Sequence, residues 1–367
     1  MTHYMPVHLY TGAKAIARNP AVFSAFGRRC AIISGRNAAE KSGALQDVKD
    51  ALASQSIEWE VFNEISQNPS VDSCIRAGRF ARNSGADFVI GIGGGSVLDA
   101  AKAAAVFAAN PELDEEAFYQ KRWEQAPLPI LLVGTTSGTG SEVTKVSVLT
   151  DSRHRKHSIH DDRLFAAAAF GDPAYTMSLS PAVTLSTGID ILAHCAESWF
   201  NRKADEISRA FAIRGIRLLF EPLSAASRGE ELCVQQRGAL YDASILGGLA
   251  ICGTGTCFPH NVGYYITENY GIPHGFASAL FLPAMLSLVK EKAPDYTERF
   301  YRELDLSEEA LLALISSSLP DTGIVMTEEE ILSALPRWEN NNSVLNTCCA
   351  VSTDEIRNIL ENLFLDK

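Results

Sequence analysis

An α/β domain built on a parallel sheet, followed by an all-α domain, is the fold this sequence predicts. Three observations predict it. Short β-branched runs alternate with helical segments through the first half, those runs stop after Gly171-Asp172-Pro173, and a length of 367 residues exceeds what one core usually supports. The boundary is placed near residue 180, giving domains of residues 1–180 and 181–367.

Taken in order, residues 29–34 (RCAIIS) read as a buried strand, 44–54 as a helix, 58–62 as a second strand, 71–84 as a second helix and 87–92 (DFVIGI) as a third strand. That βαβαβ order implies a parallel sheet with helices on its faces. The third strand runs into Gly93-Gly94-Gly95-Ser96 and then VLDAAKAAAVFAA, a strong helix former. Glycines between a strand and a helix allow close backbone approach, and the helix start offers free N–H groups and a positive dipole end. Together these suit a pyrophosphate, against the alternative of a plain tight turn. Asp99 and Lys102 follow on that helix, where the ordinary expectation is a solvated face. Residues 129–144 (PILLVGTTSGTGSEVT) repeat the pattern, with an apolar strand ending in glycines and hydroxyls. Flanked by PILLV and VSVL, this stretch is expected where ligands gather in α/β sheets; the alternative is a flexible surface loop.

Beyond residue 180, helical periodicity predicts helices over 182–200, 205–219, 232–251, 276–290, 308–319 and 353–364, with residues 339–343 as an exposed polar loop. Within this half lie Asp190, His194, His260 and His274. Asp190 and His194 are four apart in a helical pattern, so they share one face with Cβ atoms roughly 5–6 Å apart. His274 follows a Gly-Ile-Pro turn that can lead into a helix beginning near Gly275. Three imidazoles and one carboxylate suit Fe²⁺ or Zn²⁺ better than an all-oxygen ion. Taken singly, each of the eight histidines has an ordinary core or surface reading, and an Asp-x-x-x-His pair arises readily by chance.

Composition narrows the classes. Hydrophobic residues make up 46% and charged residues 21%, which describes an ordinary globular chain. A formal charge of −12 argues against a nucleic-acid partner, because phosphate neutralisation needs a basic face. The N-terminus lacks a charged region followed by an apolar run, and no apolar stretch of about 18 residues occurs. The expectation is a cytoplasmic protein with no membrane partner. The eight cysteines form no CxxC pair and read as reduced thiols, with Cys195 pointing away from the ligand face and the adjacent Cys348 and Cys349 inert.

GGGSVLDAAK, TTSGTGSEVT, GIDILAHCAES and the pair His260 and His274, with PHG at the second, together resemble the iron-dependent group III alcohol dehydrogenases. The resemblance runs in order from about Ile32 to Pro283. It implies an N-terminal Rossmann-like dinucleotide-binding α/β domain, a helical metal domain, a cleft between them and a homodimer. It also implies hydride transfer between NADPH or NADH and a small aldehyde or primary alcohol. Carried over by position, Asp190, His194, His260 and His274 are the metal ligands. Gly93, Gly94, Gly95, Ser96 and Asp99 contact the cofactor pyrophosphate and ribose, Thr135, Thr136 and Thr139 line the nicotinamide side, and Lys156 lies near the nicotinamide ribose.

Two positions depart from the family. Tyr264 stands where many relatives carry a second histidine, so the catalytic pair His260 and Tyr264 includes a phenol, which donates protons more readily than it accepts them; Tyr264 reads equally as a pocket wall. At the end of the first strand the chain reads Ser34-Gly35-Arg36-Asn37, without the aspartate common in NAD-preferring relatives. Gly35 and Arg36 there would accept the 2′-phosphate of NADPH. The segment CFPHNVGYYITENYGIPHG is similar to a branch that reduces phosphonoacetaldehyde or sulfoacetaldehyde, for which Lys145, His160 or Arg163 would supply the positive charge. A glycerol dehydrogenase-like zinc enzyme, a dehydroquinate synthase-type lyase and a non-catalytic scaffold are the competing readings.

Overall fold

The computed structural model describes residues 3–365. It divides into two compact units: Tyr4–Ser180 together with Cys233–Tyr241, and Pro181–Leu232 together with the chain from Asp242 onward.

The first unit holds eight strands: β1 (His8–Thr11), β2 (Arg29–Ser34), β3 (Glu58–Phe62), β4 (Phe88–Gly93), β5 (Ile130–Gly134), β6 (Val146–Thr150), β7 (Lys156–His160) and β8 (Ala168–Gly171). Six form one sheet in the order β1-β8-β5-β4-β2-β3 with every neighbouring pair parallel, and β6 and β7 form an antiparallel hairpin. Strands β4 and β5 are buried along their whole length, which is why they read as continuous apolar runs and not as alternation. One side of the core packs Ile32, Ile90, Leu131, Val133 and Phe170 against Phe23, Val48 and Leu52.

Small residues set the spacing of helix on sheet. A Cβ on Gly91 of β4 would stand 2.6 Å from the Ala101 Cβ of the Gly95–Ala109 helix. One on Gly78 of the Val71–Asn83 helix would stand 2.6 Å from the Phe107 Cβ. The alanine run in AAKAAAVFAA is therefore a packing requirement as well as a helix preference.

From β2 the chain moves outward to β3, and from β4 it moves outward in the opposite direction to β5. The order of strands thus reverses between the C-terminal ends of β2 and β4, the place where open α/β sheets form a crevice.

The second unit is helical. Its main elements are Pro181–Trp199, Glu206–Ser227, the later turns of Val234–Thr254, Phe258–Tyr270, His274–Ala279, Leu282–Lys292, Pro294–Leu304, Glu308–Ser318 and Thr353–Phe364. The Pro181–Trp199 helix is central, packing against Glu206–Ser227, His274–Ala279 and Phe258–Tyr270. Buried Trp199, Phe200 and Phe300 cluster beside it, with ring centroids 4.8 Å apart for Phe200 and Phe300.

Several elements differ from expectation. The helix expected over 276–290 is two helices, because Pro283 sits in the first turn of the second, where its missing N–H costs nothing. The helix expected to stop at 219 continues to Ser227 through Pro222. Burial of Leu219, Pro222, Leu223 and Ala226 outweighs the lost backbone bond, and Ser224 Oγ donates to the Phe220 carbonyl at 2.7 Å. The polar stretch at 339–343 ends in a short helix, Asn342–Leu345, capped by the Asn341 side chain. Residues 233–241 group with the α/β unit, although they lie beyond residue 180.

Candidate active site

Asp190 and His194 stand one turn apart on the Pro181–Trp199 helix, His260 lies in the first turn of Phe258–Tyr270, and His274 opens His274–Ala279. Two glycines bring the three helices together. A Cβ on Gly275 would lie 1.8 Å from the Ser186 carbonyl oxygen and 3.0 Å from the Asp190 Cβ. A Cβ on Gly263 would lie 2.8 Å from the Ser278 backbone. The helices therefore meet backbone to backbone, and the side chains beside the contact are forced inward.

The result is a compact cluster. His260 Nε2 is 3.5 Å from Asp190 Oδ1, and His274 Nε2 is 4.0 Å from the same oxygen. One donor atom from each of Asp190, His260 and His274 falls within 4.8 Å of the others, as a metal-binding group requires. The His194 ring lies face to face with that of His260, centroids 4.6 Å apart, so the fourth residue borders the group. Asp190, His194 and His260 are buried, while the His274 side chain is 22% exposed and marks the open side. The Tyr264 ring, itself partly exposed, stacks on His274 at 5.2 Å.

Asp190 Oδ1 and His260 Nε2 are buried without a hydrogen-bond partner among the described residues, a costly arrangement unless something else binds there. Burial raises the pKa of Asp190, but the imidazoles of His194, His274 and His260 outweigh it and hold the carboxyl well below the usual carboxylate range. Burial lowers the pKa of His260, yet Glu197 and Asp190 together push it up to about 10. A nitrogen-rich set with one carboxylate and two orphaned donor atoms fits a divalent first-row ion.

Sequence reasoning missed Glu197. It lies seven residues after Asp190 on the same helix, fully buried, with Oε1 against His260 Nδ1 and Oε2 accepting from Cys257 N at 2.7 Å. The signal was present, since His194-x-x-Glu197 continues the ligand face by one more turn.

The α/β unit assembles a different constellation at the C-terminal ends of its strands. Gly93 of β4 pairs with Gly134 of β5, and Thr135 N donates to the Gly93 carbonyl at 2.9 Å. Gly94 and Gly95 open the following helix. A Cβ on Gly94 would be 2.9 Å from Thr136 Cγ2, and one on Gly95 2.5 Å from Thr139 Cγ2. The two loops singled out separately in the sequence are thus one surface, with threonines seated on bare glycine backbone. Ser34, Thr135 and Ser137 carry buried hydroxyls without a hydrogen-bond partner among the described residues. Ser96 Oγ accepts from Asn68 N at 3.3 Å. Gly35 follows β2 with the Ile65 carbonyl 3.1 Å from where its Cβ would be, and Arg36 beside it is exposed.

Asp99 and Lys102 depart from the ordinary expectation for charged residues on a helix. Neither lies on a solvated face. Lys102 is fully buried and donates to the Ser141 carbonyl, the Ser141 hydroxyl and the Val146 carbonyl at 2.7–2.8 Å. Asp99 accepts from Ser141 Oγ at 2.6 Å and Val148 N at 2.9 Å, so both its oxygens hold the second loop and the β6–β7 hairpin. Lys156 opens β7, and its charge is felt at Asp99. The second loop is accordingly an anchored, mostly buried segment and no flexible surface loop. Glu142 within it, also missed, is buried beneath Tyr241, whose hydroxyl donates to Glu142 Oε1 at 2.9 Å.

Known proteins agree with this architecture. The model of the iron-containing alcohol dehydrogenase family matches residues 6–173, and that of the Fe-containing alcohol dehydrogenase family C-terminal region matches residues 184–322. This chain belongs to the iron-containing alcohol dehydrogenase family. It is 34% identical over 255 residues to long-chain-alcohol dehydrogenase 1 of Geobacillus thermodenitrificans, a match covering 68% of this chain and 64% of that protein. The matched stretch thus spans just under two thirds of that curated relative. An iron-containing alcohol dehydrogenase from Thermotoga maritima superposes with a TM-score of 0.91 at 33% identity, covering 98% of each chain. A sulfoacetaldehyde reductase from Bifidobacterium kashiwanohense, solved in complex with NAD⁺, superposes with a TM-score of 0.87 at 28% identity, covering 99% of this chain and 98% of that one. Among the described residues no helix is long and apolar enough to cross a membrane.

Two of the three cations considered for an anionic substrate are already paired. Lys145 Nζ is 2.7 Å from Asp162, and Arg163 makes a two-pronged pair with Asp161 at 2.9 and 3.0 Å. His160 Nε2 lies 3.2 Å from the Ser158 hydroxyl.

Proposed function

We propose that this protein is a metal-dependent, NAD(P)H-linked reductase of small aldehydes that also runs as a primary-alcohol dehydrogenase. The observation that carries the reading is the convergence of Asp190, His260 and His274 donor atoms within 4.8 Å, bordered by His194. These four residues would hold Fe²⁺ or Zn²⁺, since the same donors accept either. When bound, the ion polarises a carbonyl as a Lewis acid, and a nicotinamide supplies the hydride.

The remaining roles belong to the chain's own residues. Gly93, Gly94, Gly95 and Ser96 offer bare backbone and the first N–H groups of a fifteen-residue helix to a pyrophosphate. Thr135, Thr136 and Thr139, held against those glycines, line the path toward the nicotinamide, with Lys156 near its ribose. Asp99 contacts the cofactor pyrophosphate and ribose there and, with Lys102, fixes this surface. Gly35 and Arg36, at the end of β2 beside the strand-order reversal, accept the 2′-phosphate of NADPH, and NADH is used as well. His274 and Tyr264 lie on the open side, where the Tyr264 phenol can donate to a developing alkoxide. A phenol is a weak base at neutral pH, so reduction is the favoured direction.

The likeness to a sulfoacetaldehyde reductase supports an aldehyde bearing a strong anion, for which Lys145, His160 or Arg163 would supply the counter-charge. Comparing kcat/KM for propanal, lactaldehyde, succinic semialdehyde and phosphonoacetaldehyde decides this; equal values for neutral and anionic members remove the anionic class.

Elemental analysis of anaerobically purified protein, with activity measured after chelation and re-addition of each ion, tests the central reading. Bound iron or zinc with metal-restored aldehyde reduction is expected, and Asp190→Ala should lose both. A protein that reduces aldehydes equally well after complete chelation overturns it. For the cofactor, a preference for NADH of about tenfold or more in a side-by-side assay overturns the role given to Arg36.

A further inference from the structure

The metal reading leaves Glu197 without a task, yet the residue is built into the site on three sides. Its carboxylate is fully buried on the Pro181–Trp199 helix. One oxygen meets His260 Nδ1. The other accepts from Cys257 N at 2.7 Å and from His260 N at 3.4 Å. Cys257 is the N-cap of the Phe258–Tyr270 helix and makes no side-chain cap bond of its own. Glu197 therefore reaches across from a neighbouring helix to cap the one that carries His260, placing a negative charge at its positive end.

We propose, resting on the metal reading above, that Glu197 is the positioning residue that sets both the place and the tautomer of His260. A carboxylate presents only acceptors, so Nδ1 must carry a proton toward it, and Nε2, beside Asp190 at 3.5 Å, is the nitrogen left to offer a lone pair to the ion. A ligating histidine whose other ring nitrogen donates to a carboxylate is fixed in orientation and more basic. Glutamine cannot substitute. Its amide NH₂ would face either the Cys257 N–H, losing the cap, or Nδ1, which would then have to accept and so move the proton to Nε2. Each arrangement abolishes one of the two functions that the carboxylate combines.

The test uses Co²⁺ as probe on the full chain, in wild type, Glu197→Gln and Glu197→Asp. Binding is followed by competition with a chromophoric chelator and by the visible absorption of the bound ion. The expected result is a fall in Co²⁺ affinity of about 10- to 100-fold for Glu197→Gln, with a changed visible spectrum and unchanged NADPH affinity. Glu197→Asp keeps the charge but is too short to span Nδ1 and the cap, so its affinity should lie between the other two. Circular dichroism and urea unfolding accompany each variant. If both variants lose stability but bind Co²⁺ with wild-type affinity and spectrum, Glu197 is a helix cap only and the proposal is overturned. If wild type itself binds no Co²⁺, the metal reading falls first and takes this inference with it.

Discussion

The two halves of the molecule build their candidate sites by opposite means. In the α/β unit the strand ends are finished in backbone and hydroxyl, with glycines at 93, 94 and 95 and threonines at 135, 136 and 139, while Lys102 and Glu142 are buried behind them as bracing, joined by Asp99 with its side chain 13% exposed. In the helical unit the arrangement is inverted: the charges face one another at the centre, and the glycines at 263 and 275 are the bracing. A backbone-built surface tolerates a large polyanionic ligand because N–H groups carry no desolvated net charge. A side-chain cluster of negative and neutral donors suits one small cation. Each unit spends its buried charge where the other spends its small residues.

Removing the bracing should therefore do opposite things in the two halves, and the largest effect is expected at Lys102. Lys102→Met leaves Asp99 buried without its cation, at a cost of about 3–5 kcal/mol in unfolding free energy by urea titration, together with a raised KM for NADPH. The pH dependence checks the cause. Burial already raises the pKa of Asp99, and Lys102 opposes that rise. Without the lysine the folded-state pKa climbs further above the unfolded value, so the folded variant binds the proton more tightly and its deficit shrinks as pH falls. A deficit independent of pH would assign the loss to packing alone.

Gly275→Ala comes next. Its Cβ meets backbone at Ser186, which cannot rotate away, so overpacking of about 1–3 kcal/mol or more is expected, with loss of metal affinity and retained NADPH binding. Equal damage to both ligands would break the contrast drawn here. At the small end, Asp205 caps the Glu206–Ser227 helix, held by Ser208 N and by His3, and its pKa is lowered to about 2. That contribution is full above the unfolded carboxylate pKa and fades as pH drops through about 2, so Asp205→Asn, which retains a cap, should lower Tm slightly at neutral pH and match wild type in strong acid. Exposure of the site keeps this effect under about 1 kcal/mol.

Legibility in the sequence follows the same contrast. Strands β2 and β3 and the Ala44–Ser54 helix fall where periodicity and apolar runs place them, and the glycine strings announce the backbone-built surface because glycine is rarely free of meaning there. Strands β1 and β8, four residues each, are too short to carry a pattern and exist because they pair with each other and with β5. The candidate metal cluster could be named as a set of residue types, Asp190, His194, His260 and His274. What brings them together was not, because Gly263 and Gly275 matter only once three helices meet. Glu197 and Lys102 escaped for a shared reason: a charged residue on a helix reads as solvated until its neighbours are known.

The backbone contacts at Gly263 and Gly275 also divide the positions around the cluster into those that can vary and those that cannot. No rotamer change relieves a clash with main-chain atoms, so the frame is closed to substitution. Tyr264, next in sequence to Gly263, instead stacks a partly exposed ring on His274. Under the proposed function, Tyr264 is therefore the position where side-chain volume can change without disturbing the scaffold beneath, and Tyr264→Phe separates the loss of its hydroxyl from the loss of its ring.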